Sequence, residues 1–302
     1  MQTDTMGPLA RTVSETPTDI WNDSCAIDEL EYAIAFGAVG ATANPTIVMD
    51  VWKKDAGRWA NRVRALAVEQ PGWTEVELAW AVVEEMSTRG AALLLPAFEA
   101  SGGRAGRLSV QTDPTLFRST DRMVAQGLGI DRLAPNVIVK FPATEAGIAA
   151  MEEATYRGVS INATVSFSVP QAIAAADAVE RGLERRRAEN LPTDAMGPVI
   201  TIMMGRLEDW LRVLVERDAV TVDPTALPWS GVAVFKRAYA IFRERGYRAR
   251  LLGAAIRHHL HWSELIGGDV VITLPASWQR RFNASAVEVR PRIDEPVDPA
   301  IV

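Results

Sequence analysis

The 302-residue chain contains little that would tie it to a membrane or an oxidising compartment. Cys25 is the only cysteine, so no intrachain disulfide can form, and such a chain suits a reducing compartment. No apolar run reaches membrane-spanning length, and residues 1–20 contain no signal-peptide core. We therefore expect a soluble, cytoplasmic protein.

An excess of positive charge is also missing. The formal net charge is −6 and the sequence pI is about 5.3, so a nucleic-acid backbone or an anionic membrane would be repelled by the mean field of the chain. An anionic small molecule would need a local basic pocket. With 48% hydrophobic and 23% charged residues, the chain is an ordinary globular protein, long enough for one large α/β domain or two small ones.

Short apolar runs that alternate with helical patterns predict the fold. Each run is a candidate strand, and the eight runs are Ile20–Asp23, Val39–Ala43, Leu108–Thr112, Val137–Lys140, Val159–Thr164, Val199–Met203, Leu251–Ala254 and Val270–Leu274. Eight parallel strands with covering helices fit a closed (β/α)8 TIM barrel. An open doubly wound sheet is the alternative, but no Gly-x-Gly-x-x-Gly turn follows the first strand; the nearest candidate, residues 101–106, precedes a strand.

The pattern predicts a single domain. We place the barrel at residues 18–285 and interpret the polar, proline-containing ends, residues 1–17 and 286–302, as loosely ordered tails. Additional helical sequence at residues 57–98 and 229–245 is interpreted as insertions on the barrel.

Polar residues close several of the apolar runs, where a barrel of this kind assembles its active site. They are Asp23, Asn44, Gln111, Lys140, Asn162, Thr164, Arg206 and Arg257. Lys140 is the most informative, because a buried amine beside other cations has a lowered pKa and can attack a carbonyl carbon. A surface lysine just beyond its strand is the alternative interpretation.

Five segments, in order along residues 21–282, resemble the transaldolase family of Schiff-base aldolases. They are TANPT at residues 42–46, VIVKFPAT at 137–144, INATVSFSVPQA at 161–172, MGRLEDW at 204–210 and LLGAAIR at 251–257. The resemblance implies a transferase that moves a dihydroxyacetone unit from a ketose phosphate to an aldose phosphate, without cofactor or metal. It also implies sugar phosphates as small-molecule partners and a place in the pentose phosphate pathway; a homo-oligomer is compatible with the sequence.

The resemblance assigns roles to individual residues. Lys140 would form the imine with the substrate and Asp23 would be the general acid and base. Thr164 and Gln111 would complete the catalytic set, with Thr164 holding the water that relays protons. The substrate-binding residues would be Asn44, Asn162 and Thr201 for the sugar, and Arg206 and Arg257 for its phosphate.

Three positions depart from the transaldolase pattern. Gln111 stands where transaldolases carry a glutamate, and a neutral amide can orient a water but cannot take its proton. Met203 replaces an aromatic residue, and Ala255 replaces a phosphate-binding serine. These departures favour the alternative of a fructose 6-phosphate aldolase-like enzyme or a specialised biosynthetic carbon–carbon lyase. A catalytically idle barrel that binds a sugar phosphate is a third hypothesis.

Structural interpretations also exist for most of these residues. Asp23 and Asn44 could cap the helices that follow them, and Arg206 could pair with nearby carboxylates. Asn162 and Thr164 could be hydrogen-bonded core residues. The three histidines, His258, His259 and His261, could suggest a metal site, but no cysteine joins them and Arg257 would repel a cation, so we expect none.

Overall fold

In the computed structural model, which describes residues 6–301, eight parallel strands form a closed barrel in sequence order. Each strand pairs with its neighbours in the chain, and β8 pairs with β1 to close the ring. The strands are β1 (Asp19–Asn22), β2 (Gly40–Thr42), β3 (Arg107–Gln111), β4 (Val137–Pro142), β5 (Ile161–Thr164), β6 (Val199–Ile202), β7 (Arg250–Gly253) and β8 (Val271–Leu274). The predicted (β/α)8 TIM barrel with additional helices is confirmed.

Twelve α-helices surround the barrel within the described part of the chain. They are α1 (Pro8–Glu15), α2 (Ile27–Ala35), α3 (Pro45–Lys54), α4 (Ala56–Glu69), α5 (Glu75–Ala100), α6 (Thr120–Asp131), α7 (Glu145–Tyr156), α8 (Val169–Ala188), α9 (Met204–Arg217), α10 (Ser230–Arg245), α11 (Leu260–Ser263) and α12 (Ala276–Asn283). Helices α4 and α5 form the predicted insertion between β2 and β3. Trp59, Val82 and Met86 belong to a separate small core at this insertion.

Strand β4 shows how alternation sorts side chains between the two faces of the barrel wall. Val139 and Phe141 belong to the core between strands and helices, whereas Ile138 packs in the barrel interior with Trp21 and Leu252. These interior side chains fill the middle of the barrel, so it is a packed core and not a pore. Lys140, two residues beyond Ile138, therefore also faces the interior.

Both predicted tails carry packed segments, which differs from the expectation of loose order. Leu9 of α1 is buried, and the Thr12 hydroxyl accepts a hydrogen bond of 3.2 Å from the Trp262 indole. Near the other end Ile293 is buried, and the Lys236 amine donates to the Arg292 carbonyl at 2.8 Å. Burial of these apolar side chains fixes the segments; residues 1–5 and 302 lie outside the described range.

Among residues 6–301, no helix combines the length and apolar character needed to cross a membrane.

Candidate active site

Lys140 lies near the C-terminal end of β4 with only 8% of its surface exposed. The β-sheet register places it level with Gln111 of β3 and Asn162 of β5. Burial lowers the pKa of the Lys140 amine, and the negative charge of Asp23 acts in the opposite direction. Within residues 6–301 its Nζ has no hydrogen-bond partner. The interpretation of Lys140 as a surface lysine is therefore wrong, and desolvation, not neighbouring cations, lowers its pKa.

Asp23 follows β1 and is positioned by a threonine pair. Its Oδ1 accepts a hydrogen bond of 2.6 Å from the Thr42 hydroxyl, which lies 2.8 Å from the Thr273 hydroxyl of β8. The carboxylate does not cap a helix, because α2 begins at Ile27 and its N-cap is Ala26. Thr42 was missed as a candidate; its position in the TANPT segment, two residues before Asn44, was the available signal.

Gln111 and Thr164 lie on the strands that flank β4. Gln111 is partly exposed at the end of β3, whereas Thr164 is buried and its hydroxyl makes a weak 3.9 Å contact with the Met203 sulfur. The next residue, Val165, has φ of +54°, a left-handed conformation that is strained for a β-branched residue. Strain of this kind is common where a rim side chain must be held in a functional position.

Asn162 and Thr201 face each other in the barrel interior and are already hydrogen-bonded. The amide of Asn162 donates to the Ser109 hydroxyl at 2.9 Å and accepts from the Thr201 hydroxyl at 2.8 Å. Asn162 is completely buried. The alternative of a hydrogen-bonded core residue therefore describes Asn162, which lies on the strand next to that of Lys140.

Asn44 caps α3, as its alternative interpretation predicted. Its Oδ1 accepts a hydrogen bond of 3.0 Å from the Ile47 backbone N–H. In the described part of the chain its Nδ2 has no partner, so this N–H₂ group can still donate to a ligand. Asn44 can therefore cap α3 with its oxygen and bind a ligand with its N–H₂ group.

Arg206 and Arg257 meet at the rim because Gly205 allows a close approach. A Cβ at position 205 would lie 1.8 Å from the Ala255 carbonyl oxygen, so only glycine lets the start of α9 contact the loop after β7. Ala255 itself has φ of +61°. This contact brings the two arginines, predicted from separate motifs, to a shared carboxylate.

That carboxylate is Asp209, which sequence reasoning considered only as an alternative partner of Arg206. Asp209 forms a two-point ion pair with Arg257 at 3.0 and 2.6 Å, and it lies 3.5 Å from Arg206. The Arg257 guanidinium lowers the pKa of Asp209 mainly by hydrogen bonding. Arg206 is 61% exposed at its side chain and is therefore the less restrained of the two cations.

The histidines join Glu208 in a cluster beside this ion pair. The ligand-capable atoms of Glu208, His258 and His261 lie within 4.8 Å of one another. His261 Nδ1 accepts the Arg257 backbone N–H at 3.3 Å, which places the imidazole proton on Nε2 and leaves no lone pair there for a metal. Burial, His258 and Arg257 lower the pKa of His261 to about 3. This hydrogen-bonding pattern favours a polar cluster, and a metal-free site stays a prediction.

These features define a class of protein: a closed (β/α)8 barrel with a buried lysine on its fourth strand, a carboxylate at the end of its first strand, and arginines at the same rim. A family model described as "Transaldolase/Fructose-6-phosphate aldolase" matches residues 20–298. The chain belongs to the transaldolase/fructose-6-phosphate aldolase family.

Individual relatives carry the same name. The chain is 28% identical over 250 residues to a transaldolase of Thermobifida fusca, which covers 79% of this chain and 66% of that protein. It is 28% identical over 246 residues to a transaldolase of Mycolicibacterium smegmatis, covering 78% and 65% of the two chains. Transaldolase 1 of Streptomyces avermitilis is 34% identical over 173 residues, covering 56% and 45%. The matched region thus spans between 45% and 66% of the length of these relatives.

Proposed function

We propose that this chain is a transaldolase, an enzyme that transfers a dihydroxyacetone unit from a ketose phosphate to an aldose phosphate through an imine on Lys140. One observation carries the proposal: the only lysine among the residues predicted for catalysis is buried on β4, and burial favours its uncharged form. An uncharged amine is the form that attacks a carbonyl carbon. The relatives named transaldolase support the same activity.

The residues around Lys140 supply the remaining steps. The Nζ lone pair attacks the keto carbon, and loss of water gives the imine. Asp23 then takes the proton of the hydroxyl on the far side of the bond to be broken, and the bonding electrons move into the imine to form an enamine. The aldehyde product leaves. The enamine carbon attacks an acceptor aldehyde, whose oxygen takes the proton back from Asp23, and water releases the new ketose.

Neighbouring hydroxyl and amide groups would hold the reacting groups in place. The 2.6 Å hydrogen bond from Thr42 restrains the Asp23 carboxylate. Gln111 lies level with Lys140 on β3 and Thr164 lies two residues further along on β5, and we assign them the water that carries protons during imine formation and hydrolysis. Gln111 can orient this water but cannot ionise. Asn44 would donate its free N–H₂ group to a substrate hydroxyl.

The two arginines would bind the phosphate unequally. Nε and Nη2 of Arg257 donate to Asp209, and its Nη1 donates to the Ala255 and Ile256 carbonyls at 3.2 and 3.1 Å. Among the described residues, the Arg206 side chain has only the 3.5 Å ion pair with Asp209. We therefore assign the direct phosphate contact to Arg206, and to Arg257 a supporting positive charge.

We also propose that the enzyme acts in the pentose phosphate pathway and that it is located in the cytoplasm.

A second candidate is aldolase activity of the fructose 6-phosphate type, in which the enamine carbon is protonated and water then hydrolyses the imine to release dihydroxyacetone without an acceptor. The neutral Gln111 beside Lys140 favours it, because the transaldolase pattern has a carboxylate there. An idle barrel is disfavoured, since nothing in the described site satisfies the buried Lys140 amine structurally.

The need for an acceptor separates the candidates. Release of glyceraldehyde 3-phosphate from fructose 6-phosphate would be followed with and without a tetrose phosphate. We expect turnover only with the acceptor. Turnover in its absence would replace the transferase with the aldolase, and no release under either condition would reject both for this donor.

A further inference from the structure

A second basic pocket lies at the opposite end of the barrel from Lys140. It has a volume of about 300 Å³ and is lined by residues that precede or begin strands β3, β6, β7 and β8. Arg107 begins β3, and Gln111, which is level with Lys140, ends it. Four residues at about 3.3 Å per residue separate the two ends by about 13 Å, and Trp21 and Val199 of the packed barrel interior form the inner wall of the pocket. The pocket is therefore separate from the candidate active site.

Positive charge exceeds negative charge in this pocket. Its lining contains Arg104, Arg107, Arg248 and Arg250, but only two carboxylates, Asp194 and Asp269. The chain as a whole has a net charge of −6, so the local excess is opposite to the mean field. A local cluster of cations on an acidic protein is the arrangement that an anionic ligand requires.

Two of the arginines are paired and two are not. Arg250 lies 2.6 Å from both Asp19 and Asp269, and Arg104 lies 2.9 Å from Asp269. Within residues 6–301, no carboxylate lies in ion-pair range of Arg107 or Arg248. The positive charge of the pocket is therefore concentrated on these two side chains.

Of these two unpaired arginines, Arg107 is the more informative, because only 4% of its surface is exposed. Its guanidinium donates to the carbonyls of Gly103 and Ala195, both at 2.7 Å, and to the Ser160 hydroxyl at 3.4 Å. These bonds explain why its N–H groups tolerate burial, but they leave its charge uncompensated. Burial first and Arg248 second lower the pKa of Arg107 to about 10. A buried cation of this kind is costly without an anion.

Glycines shape the backbone around these cations. Gly102 and Gly103 have φ of +61° and +89°, so the loop before β3 turns without side chains. At Gly197 a Cβ would lie 2.6 Å from Arg107 Nε, so any side chain there would displace the guanidinium. In the described part of the chain the Arg248 side chain donates to the carbonyls of Asp194 and Met196, and its backbone N–H donates to the Glu180 carboxylate at 2.7 Å.

We propose that this pocket, which we call the basal arginine pocket, binds a small phosphate-bearing anion. Guanidinium groups suit phosphate because they offer planar, paired donors to its oxygens. The volume is at the lower end for small-molecule pockets, so the occupant is free phosphate or a small phosphate monoester. The ligand compensates Arg107 and Arg248 and links the loops that precede β3 and β6.

Hydrogen exchange with inorganic phosphate tests the proposal with site resolution. At constant ionic strength, millimolar phosphate should protect peptides covering residues 101–107 and 193–198. The Arg206→Gln variant, altered at the catalytic rim, should retain this protection. The exposed Arg248→Gln variant should need about tenfold more phosphate or more, as expected for loss of a charged hydrogen-bond donor. Absence of protection in the unmodified chain, or equal protection in Arg248→Gln, would overturn the proposal.

A second variant keeps the test decisive if Arg248→Gln fails to fold. Asp194 is exposed, and in the described structure its carboxylate has no hydrogen-bond or ion-pair partner. Asp194→Asn removes a negative charge from the lining, so it should bind phosphate about two- to fivefold more tightly, the range of an exposed charge interaction. Unchanged or weaker binding would contradict the assignment.

The same hydrogen-exchange experiment on the Lys140→Met variant, in which no imine can form, shows whether the pocket binds free phosphate or a phosphate monoester. Tighter protection of residues 101–107 by ribose 5-phosphate than by inorganic phosphate identifies a monoester site. Equal protection identifies a free phosphate site. Protection by chloride or acetate at the same concentration would instead show a nonspecific charge effect and reject the phosphate assignment.

Discussion

The lysine and arginine sides of the candidate active site are built in opposite ways. Lys140 is buried, has no hydrogen-bond partner within residues 6–301, and has a lowered pKa. Arg257 is partly exposed, is held by Asp209 and two carbonyls, and has a pKa raised mainly by its hydrogen bond to Asp209. Lys140 therefore loses its proton more readily than an ordinary lysine, whereas Arg257 keeps its positive charge.

This difference follows from what each group has to do. A nucleophilic amine needs a free lone pair, which burial provides at a cost in stability. A phosphate-binding cation needs only charge and position, and an ion pair with Asp209 supplies position. The comparison predicts that substitutions on the lysine side change chemistry, whereas those on the arginine side change binding.

The largest effect is expected for Lys140→Met, which removes the amine but keeps a long apolar side chain. We expect the transfer rate to fall about a thousandfold or more, because no imine can form. Steady-state assay with saturating donor and acceptor measures this, with Lys53→Met as a control in an exposed lysine near the end of α3. A loss of less than about tenfold would remove Lys140 from the mechanism.

Asp23→Asn should have the next largest effect, a fall in kcat of about 10²- to 10⁴-fold, because the amide cannot accept the hydroxyl proton. Thr42→Val should lower kcat less, about tenfold, since it leaves the carboxylate but removes its 2.6 Å restraint. Thr42→Ser restores the hydroxyl and should restore most of the rate. Failure of serine to rescue would assign Thr42 a packing role only.

A smaller effect, on binding, is expected on the arginine side. Arg206→Gln should raise KM for a phosphorylated ketose about tenfold or more with little change in melting temperature, since Arg206 is exposed. Arg257→Gln should lower both affinity and melting temperature, because it also loses the Asp209 and carbonyl contacts. A ketose without phosphate is the matched control. Equal losses for both substrates would contradict the assigned phosphate contact.

The smallest effect concerns stability and its pH dependence. At pH values below the lowered pKa of Lys140, both folded and unfolded chains carry its charge, and folding bears the full cost of burying it. Between that pKa and the ordinary value of 10.5 the folded state releases the proton, so the cost is relieved as pH rises. Lys140→Met should therefore stabilise the fold by about 0.5–2 kcal/mol in mildly acidic solution.

Denaturant unfolding at several pH values measures this stabilisation. The gain from Lys140→Met should shrink as the pH approaches 10.5. A gain that is independent of pH would show that packing, not desolvation of the charge, distinguishes the variant. A destabilised variant at every pH would contradict the unfavourable burial of the amine.

The barrel itself could be predicted from the sequence because it depends on local alternation. Each of the eight predicted apolar runs overlaps one observed strand, and the polar residue at the end of the fourth run is the buried Lys140. The packed ends were missed because their apolar residues, such as Leu9 and Ile293, are scattered among polar residues and prolines, and only tertiary contacts show that they are buried.

Side-chain pairing could not be predicted in the same way, because it depends on register between distant strands. The sequence identified Asp23 but not Thr42, whose hydrogen bond requires β1 and β2 to align at Asn22 and Ala41. It offered Asn162 as a substrate ligand, whereas the register aligns it with Lys140 and its amide is hydrogen-bonded to Ser109 of β3 and Thr201 of β6.

The central claim is that Lys140 forms a covalent imine with a ketose phosphate. Intact-protein mass spectrometry after borohydride reduction with fructose 6-phosphate tests it directly, on the unmodified chain and on Lys140→Ala. We predict a stable added dihydroxyacetone fragment that peptide mapping assigns to Lys140 and that the variant does not acquire. An adduct of equal yield in the variant, or an adduct mapped to another lysine, would contradict the account, and no adduct in either chain would reject fructose 6-phosphate as the donor.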